Sequence, residues 1–345
     1  MNQILNSKGE PVLLNAQEAF RADYLTNHIK NSLGFEIDVT TLTTIVKRIV
    51  EQKFFQVAPA EYMPVKVGEG SWSSQLTTYR SFSLADDFET GVINTGASNG
   101  RLAEADTAID SLTVKVINWA KSIGWTLAEL QLASKSGNWD LITSKEKARK
   151  KNWDLGIQKT AFLGSPNDAN VKGLLTQTDI TSNMSIITGY IKDLSAANLN
   201  TFLAAVYGAY RTNSVHTAEP THFVIPETDY NGLASYTDAT YANKTKLQAI
   251  QEMFATLTQN PNFKVLKLSY ADQLNNVGTV AAGGKNRYTL LNYDEDSVRM
   301  DIPVDYTATM ANSVNSYQFQ NVGYGQFTGA KAYRPLEMLY FDWAE

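Results

Sequence analysis

Gly96-Ala97-Ser98-Asn99-Gly100 has the G-x-S-x-G spacing of a nucleophile elbow. In that motif a sharp turn between a core strand and a helix lifts a serine toward a histidine base. Only Val92-Ile93 precedes it here, and the stretch from Thr90 to Arg101 is dense in turn formers, so the segment reads as a turn. Gly278 to Lys285 has the glycines and the lysine of a phosphate-cradling loop. That loop needs Gly at position 279 and Ser or Thr at 286, and the chain has Thr279 and Asn286 there. Asp294, Glu295, Asp296, Asp301 and Asp305 supply oxygen ligands of the kind calcium takes, but their spacing does not follow an EF-hand loop, and a solvated turn is the simpler reading. His28, His216 and His222 show no ligand spacing. The residues therefore assign no catalytic, cofactor-binding or metal-ligating position.

Two charge clusters remain. Lys145, Lys147, Arg149, Lys150 and Lys151 put five positive charges into seven positions. Such a run is by default a solvated helix face. Its sharper reading is a stripe that meets nucleic-acid phosphates without sequence selectivity. Between Ser81 and Ser111, Asp86, Asp87, Glu89, Glu104, Asp106 and Asp110 stand against the single positive Arg101. An acidic segment of this kind suits a complementary basic surface, a pairing that sets register more than affinity.

The elements that must carry these clusters follow from periodicity. Phe20, Tyr24 and Ile29 suit a helix from Ala16 to Asn31, and Leu42, Ile45, Val46, Ile49 and Val50 a second from Thr41 to Lys53. Val65-Val67, Ser74-Leu84 and Leu112-Trp125 alternate polar and apolar residues, as strands with one covered face do. The last two, around a polar tip, form a long protruding hairpin. A two-stranded ribbon is marginal in water, so it must lie on something else. A helix of roughly 36 Å runs from Asp140 to Leu163, with Leu141, Ala148, Leu155 and Phe162 on one face and Trp153, Ile157 and Ala161 widening it. Helices over Leu199–Arg211 and Lys246–Leu257 then alternate with strands at Thr221–Pro226, Lys264–Leu268 and Tyr288–Leu291, before an aromatic, β-rich tail.

Composition sets the frame. The 345 residues are about two domains' worth of chain. With 43% hydrophobic and 19% charged residues the chain can bury a sizeable core. A net charge of -5 argues against a nucleic-acid-binding domain as a whole. There are no cysteines, which excludes disulfides and thiolate-bound metals. No signal peptide and no apolar run of membrane-spanning length is visible, and a soluble protein made in a cytoplasm is expected.

The charged helix closes on Leu163-Gly164-Ser165-Pro166 and is followed by Gly173-Leu174-Leu175. This, with the order of parts from end to end, resembles the Hong Kong-97-type major capsid proteins of tailed bacteriophages. Asn321-Val-Gly-Tyr-Gly-Gln-Phe327 and Tyr333-Arg-Pro-Leu-Glu-Met-Leu-Tyr340 are similar to the endings of a subfamily of these. The resemblance implies an α+β fold with an N-arm over 1–56, an E-loop hairpin and flanks over 57–122, a P-domain with its spine helix over 123–184, an α/β A-domain over 185–316, and closing P-domain strands over 317–345. It implies a non-enzymatic shell subunit, assembled in the host bacterial cytoplasm into pentamers and hexamers that enclose double-stranded DNA in a virion, with no membrane partner. Separate scaffold, portal and decoration proteins are its expected partners, and the basic run would face the interior. Some relatives join an E-loop lysine to a neighbour's asparagine, but no lysine lies between Ser81 and Ser111, so a non-covalent shell is expected. The alternatives are an encapsulin-type nanocompartment of the same fold and a soluble hydrolase.

Overall fold

A five-stranded sheet covered on both faces organises the molecule. The computed structural model describes residues 55–84, 106–135, 140–235, 237–238, 244–275 and 284–344. Phe55–Glu345 form one compact unit, distinct from Met1–Phe54. The N-arm expected over 1–56 therefore lies, up to residue 54, outside the described residues.

In chain order the strands are β1 (Val65–Val67), β2 (Gln75–Leu84), β3 (Asp106–Lys115), β4 (Ile117–Thr126), β5 (Ser182–Asn183), β6 (His222–Pro226), β7 (Thr237–Asp238), β8 (Lys244–Thr245), β9 (Lys264–Leu268), β10 (Asn286–Leu291), β11 (Val298–Ile302), β12 (Val304–Ala308), β13 (Asn312–Asn315), β14 (Gln318–Phe327), β15 (Ala330–Ala332) and β16 (Met338–Trp343). The helices are α1 (Leu127–Lys135), α2, the spine (Leu141–Leu163), α3 (Ala196–Asn213), α4 (Glu227–Ser235) and α5 (Lys246–Leu257).

The five-stranded sheet has the order β5-β16-β10-β6-β9, mixed parallel and antiparallel. Every residue of β6 and β10 is buried, the polar Asn286, Arg287 and Thr289 of β10 included. Alternate residues feed two cores. Phe223, Ile225, Tyr288, Leu290 and Phe341 pack with Leu203, Val206 and Tyr210 of α3 and Ile250 and Phe254 of α5. Val224, Leu291, Met338 and Tyr340 turn the other way and join Trp153, Ile157 and Phe162 of the spine helix. A capping box starts α5: Thr245 accepts from the Gln248 N–H and the Gln248 side chain accepts from the Thr245 N–H, both at 3.2 Å.

A second sheet lies along the spine helix. Its centre is β14, paired over ten residues with β4 on one side and with β12 and β13 on the other. Asn321, Gly323 and Gly325 of β14 are buried, and a Cβ at Gly325 would come within 2.5 Å of the Trp153 ring, so glycine there lets helix and strand touch. A three-stranded sheet, β1-β11-β15, links the two regions.

Two of the expected boundaries change. Leu112–Trp125 is not one strand: β3 stops at Lys115, Val116 is buried, and β4 pairs with β14, leaving the hairpin altogether. The alternation shifts phase there, from Leu112, Val114 and Val116 to Ile117, Trp119, Ile123 and Trp125, and that one-residue shift is the local sign of the change of partner. The tail is not one set of closing strands either. Met338–Trp343 returns to the middle of the five-stranded sheet, whereas β11 to β13, expected within 185–316, belong beside the spine. Pairing across such distances leaves no local trace in the sequence. The spine face also differs: Ala148 is exposed and Leu155 half-buried, and the buried stripe is Arg149, Trp153, Ile157 and Ala161 at four-residue spacing.

Candidate functional site

Three surfaces carry the residues singled out above: the hairpin, the spine helix and the strap that follows it. In the hairpin, β2 and β3 pair without a slip from Gln75↔Lys115 to Leu84↔Asp106. Leu76, Thr78 and Arg80, with Leu112 and Val114 across from them, are half-buried, and the alternate residues point to solvent. Tyr79 and Ile109 are each 72% exposed. The proximal half rests on its own subunit. Lys115 Nζ lies 2.6 Å from Asp168 Oδ2, and the Arg80 guanidinium donates to the Tyr333 carbonyl at 3.1 Å. The Lys115 hydrogen bond holds the Asp168 carboxyl below the usual range.

Asp110, expected to meet another molecule, sits directly across from Arg80 and accepts from it at 2.6 Å, with its side chain 54% exposed. Cross-strand register satisfies it within the hairpin. Asp86, Asp87, Glu89, Arg101 and Glu104 lie outside the described residues, as does the G-x-S-x-G turn; for Asp106 the backbone alone is described.

The spine helix starts at Asp140, whose carboxylate accepts from the Thr143 N–H at 3.0 Å and from its hydroxyl at 2.7 Å. These bonds, the hydroxyl one foremost, hold its carboxyl below the usual range. The basic run then divides. Arg149 is 2% exposed and is a packing residue, not a surface one. Its Nε donates to the Tyr306 hydroxyl at 2.7 Å and its Nη1 to Asn321 Oδ1 at 2.7 Å, while Asn321 donates to Glu146 at 2.8 Å. Arg149 is thus removed from the interior-facing set. Burial in that direction follows from its place in the stripe with Trp153 and Ile157. Lys145 is half-buried and bonds the Gly124 carbonyl at 2.8 Å and Glu129 at 3.1 Å. Lys147 and Lys150 are exposed and Lys151 half-buried. Lys147 and Lys151 stand about 200° around the helix from Arg149 at its ~100° per residue, facing away from the sheet.

The strap gives the Gly-Leu-Leu signature a physical meaning. Leu174 and Leu175 donate their N–H groups to the Ala161 and Phe162 carbonyls at 2.7 and 2.9 Å, satisfying acceptors that the end of the spine helix leaves open. The approach is close enough that a Cβ at Gly173 would lie 2.3 Å from the Phe162 carbonyl carbon. Gly164 takes φ +81° and ψ -173°, an extended conformation that favours glycine, where the helix ends. The carbonyls of the strap are taken up from the other side: Tyr340 donates to Leu174 and Arg287 to Leu175. Arg287 also makes a two-pronged pair with Asp342, both contacts 2.6 Å, and lies 4.1 Å over the Tyr340 ring. Sequence reading missed Arg287 and Asp342. Asp342, inside an otherwise apolar strand, was the available signal.

Most of the acidic positions pair with basic side chains, Glu295 with Lys66 at 3.5 Å. Asp294 and Asp296 face Arg334 at 3.7 and 3.6 Å, and buried Asp301 lies 3.3 Å from Arg299. Asp305 accepts from the Tyr306 N–H at 2.7 Å. Among the described residues no three acidic or histidine side chains gather as metal ligands, and no helix is long and apolar enough to cross a membrane. His222 is buried on β6, stacked on Tyr293 with ring centroids 4.8 Å apart and hydrogen-bonded to Thr221 at 2.9 Å; His216 sits in the turn after α3 at φ +59°; His28 lies outside the described residues. Asn286 begins β10, where its side chain accepts from the Gln273 N–H at 3.0 Å; residues 276–283 lie outside the described residues.

Comparison with known proteins agrees with this architecture. No sequence among curated proteins matches. The fold is similar to a chain of the Myoviridae phage XM1 capsid, with a TM-score of 0.70 and 16% identity over 90% of this chain and 100% of that one. It is also similar to a chain from Microbacterium phage Oxtober96 (TM-score 0.56, 8% identity, 88% and 96% covered). A capsid chain of a native GTA particle gives 0.53 at 14% identity, with 93% and 100% covered. These likenesses establish the Hong Kong-97-like α+β fold. The sequence profile of the major capsid proteins matches residues 91–343, nearly three-quarters of the chain, and the chain therefore belongs to the major capsid protein family.

Proposed function

We propose that this structural capsid protein closes into an icosahedral shell of pentamers and hexamers around the double-stranded DNA genome of a tailed phage. The hairpin carries the reading. Ten residue pairs of ribbon leave Tyr79 and Ile109 uncovered on the outward face, a surface for a neighbouring subunit to cover. Identical subunits meeting through different patches must either close by symmetry or grow without end, and a shell is the closed solution. Lys147 and Lys151, on the side of the spine away from the sheet, and the exposed Lys150 on its flank supply the face toward DNA, through phosphate contacts alone. The acidic hairpin positions Asp86, Asp87, Glu89, Glu104 and Asp106 join neighbouring subunits, together with Arg101.

Electron microscopy of the purified full chain, alone and with a candidate scaffold protein, tests this reading. Closed particles built of five- and six-fold clusters are expected. Strictly monomeric protein across concentration and salt would overturn it, and particles that exclude DNA but hold another protein would point to a nanocompartment. Particles boiled in detergent should run as single subunits, in keeping with contacts made without covalent links.

A further inference from the structure

Three of the five residues from Gly68 to Trp72 have left-handed backbone: Gly68 at φ +92°, Gly70 at +75° and Trp72 at +63°. For glycine this is ordinary; for a bulky aromatic residue it is a genuine outlier that only strong local constraint maintains. The constraint is visible. The Gly68 N–H donates to the Ile302 carbonyl at 2.9 Å, the Ser71 hydroxyl to the Pro303 carbonyl at 2.9 Å, and the Trp72 N–H to Gln326 Oε1 at 2.7 Å. The Trp72 ring is 69% exposed, and its inner edge lies against Tyr324, centroids 5.7 Å apart. Both holds on Trp72, backbone and ring, are thus on β14. Two residues later the chain enters the hairpin, and the Val116 N–H closes its base on the Ser74 carbonyl at 3.0 Å. Of the other anchors, the Lys115–Asp168 ion pair stands near solvent, where salt screens it, and the Arg80 guanidinium donates to the Tyr333 carbonyl at 3.1 Å.

We infer that Trp72 is a positioning residue: its strained backbone and its ring fix the direction in which the hairpin leaves the subunit. A side chain there only for packing would cost stability when removed. One that holds the backbone in a costly conformation to aim a distant element should cost aim instead.

The chain has no cysteine, so Ser81→Cys on the hairpin and Lys159→Cys on the spine give one labelled pair whose spin–spin distance distribution reports the hairpin's direction. The measurement uses the full chain, diluted with unlabelled protein, in about 0.5 M salt to weaken the ion pairs. Trp72→Gly should leave the unfolding midpoint unchanged or raise it by about 2 °C. It should also widen the distance distribution at least about twofold, as loss of a local constraint does. Trp72→Phe, which keeps an aromatic ring, should stay as narrow as wild type. A Gly variant as narrow as wild type, or a Phe variant as broad as the Gly variant, overturns the inference. If Trp72→Gly does not fold, Gln326→Leu, which removes the backbone acceptor, must give the widening instead, and a narrow distribution there overturns it equally. None of these readings requires shells to form, so they stand or fall apart from the proposed assembly.

Discussion

The five-stranded sheet and the hairpin are built from the same strand pattern and put to opposite uses. In the sheet, β6 and β10 are buried throughout, cores lie on both faces, and the Arg287–Asp342 pair is sealed among them. In the hairpin one face is half-covered by its own subunit and the other is open, and its ion pairs stand near solvent. Damage to the first should therefore appear as lost stability, and damage to the second as lost association. A shell protein needs both, a subunit that holds its shape and a surface left unfinished until another copy arrives.

The sharpest way to break this contrast is at the buried pair. Asp342→Ala strands Arg287 without its counter-charge, and removing one partner of a buried pair costs about 3–5 kcal/mol. Denaturant unfolding should show a loss of that size, and a loss under 1 kcal/mol, as at surface pairs, would mean the sheet is no more demanding than the hairpin.

His222 gives a second measure on the sheet side. Burial, helped by Lys264, pushes its imidazole down from 6.5 to about 4. The unfolded chain then binds the extra proton between those values and the native state does not, so stability rises with pH from 4 to 6.5, by about 3 kcal/mol. His222→Phe should flatten that part of the curve. The difference from wild type isolates this residue, because Asp229 and Asp272, whose carboxyls burial pushes up, are common to both proteins.

On the hairpin side, Tyr79→Ser with Ile109→Ser should shift stability by no more than about 0.5 kcal/mol, as exposed positions do. Particle yield in electron micrographs should nevertheless collapse. Lost stability with intact assembly would reverse the assignment. The smallest effect belongs to the spine. Lys147→Gln, Lys150→Gln and Lys151→Gln together should leave unfolding and particle shape unchanged and lower retained nucleic acid, measured by absorbance ratio; unchanged retention would remove these lysines from the interior surface.

How far each region could be read beforehand follows the same division. α3, α5 and the strands of the two-core sheet were visible because burial of whole strands and of helix stripes leaves strong periodic signals, and α5 even carries its cap in Thr245 and Gln248. The spine helix was placed to within one residue at its start, where Asp140 caps it. What was hidden depends on partners far off in sequence. The partner that β4 takes after Val116 is β14, roughly two hundred residues on, β16 returns to a sheet whose nearest strand in sequence, β10, ends at Leu291, and Arg149 looks like its lysine neighbours until Asn321 and Tyr306 are set beside it. Charge type announced a surface at Arg149, and packing decided otherwise.

The position of β16 has a consequence for how the protein is made. Synthesis proceeds from β5 through β6, β9 and β10, yet β16 lies between β5 and β10 and carries Asp342 for the pair with Arg287. Until residue 343 has left the ribosome the sheet is split, β5 has no neighbour, and a buried arginine waits for its carboxylate. At the usual ~5–20 residues per second, translating the 52 residues from Asn292 to Trp343 takes several seconds. A nascent chain with its hairpin already synthesised thus lacks a finished body to present it from. Completion of the last strand is what joins β5 to the rest of the sheet and gives Arg287 its counter-charge.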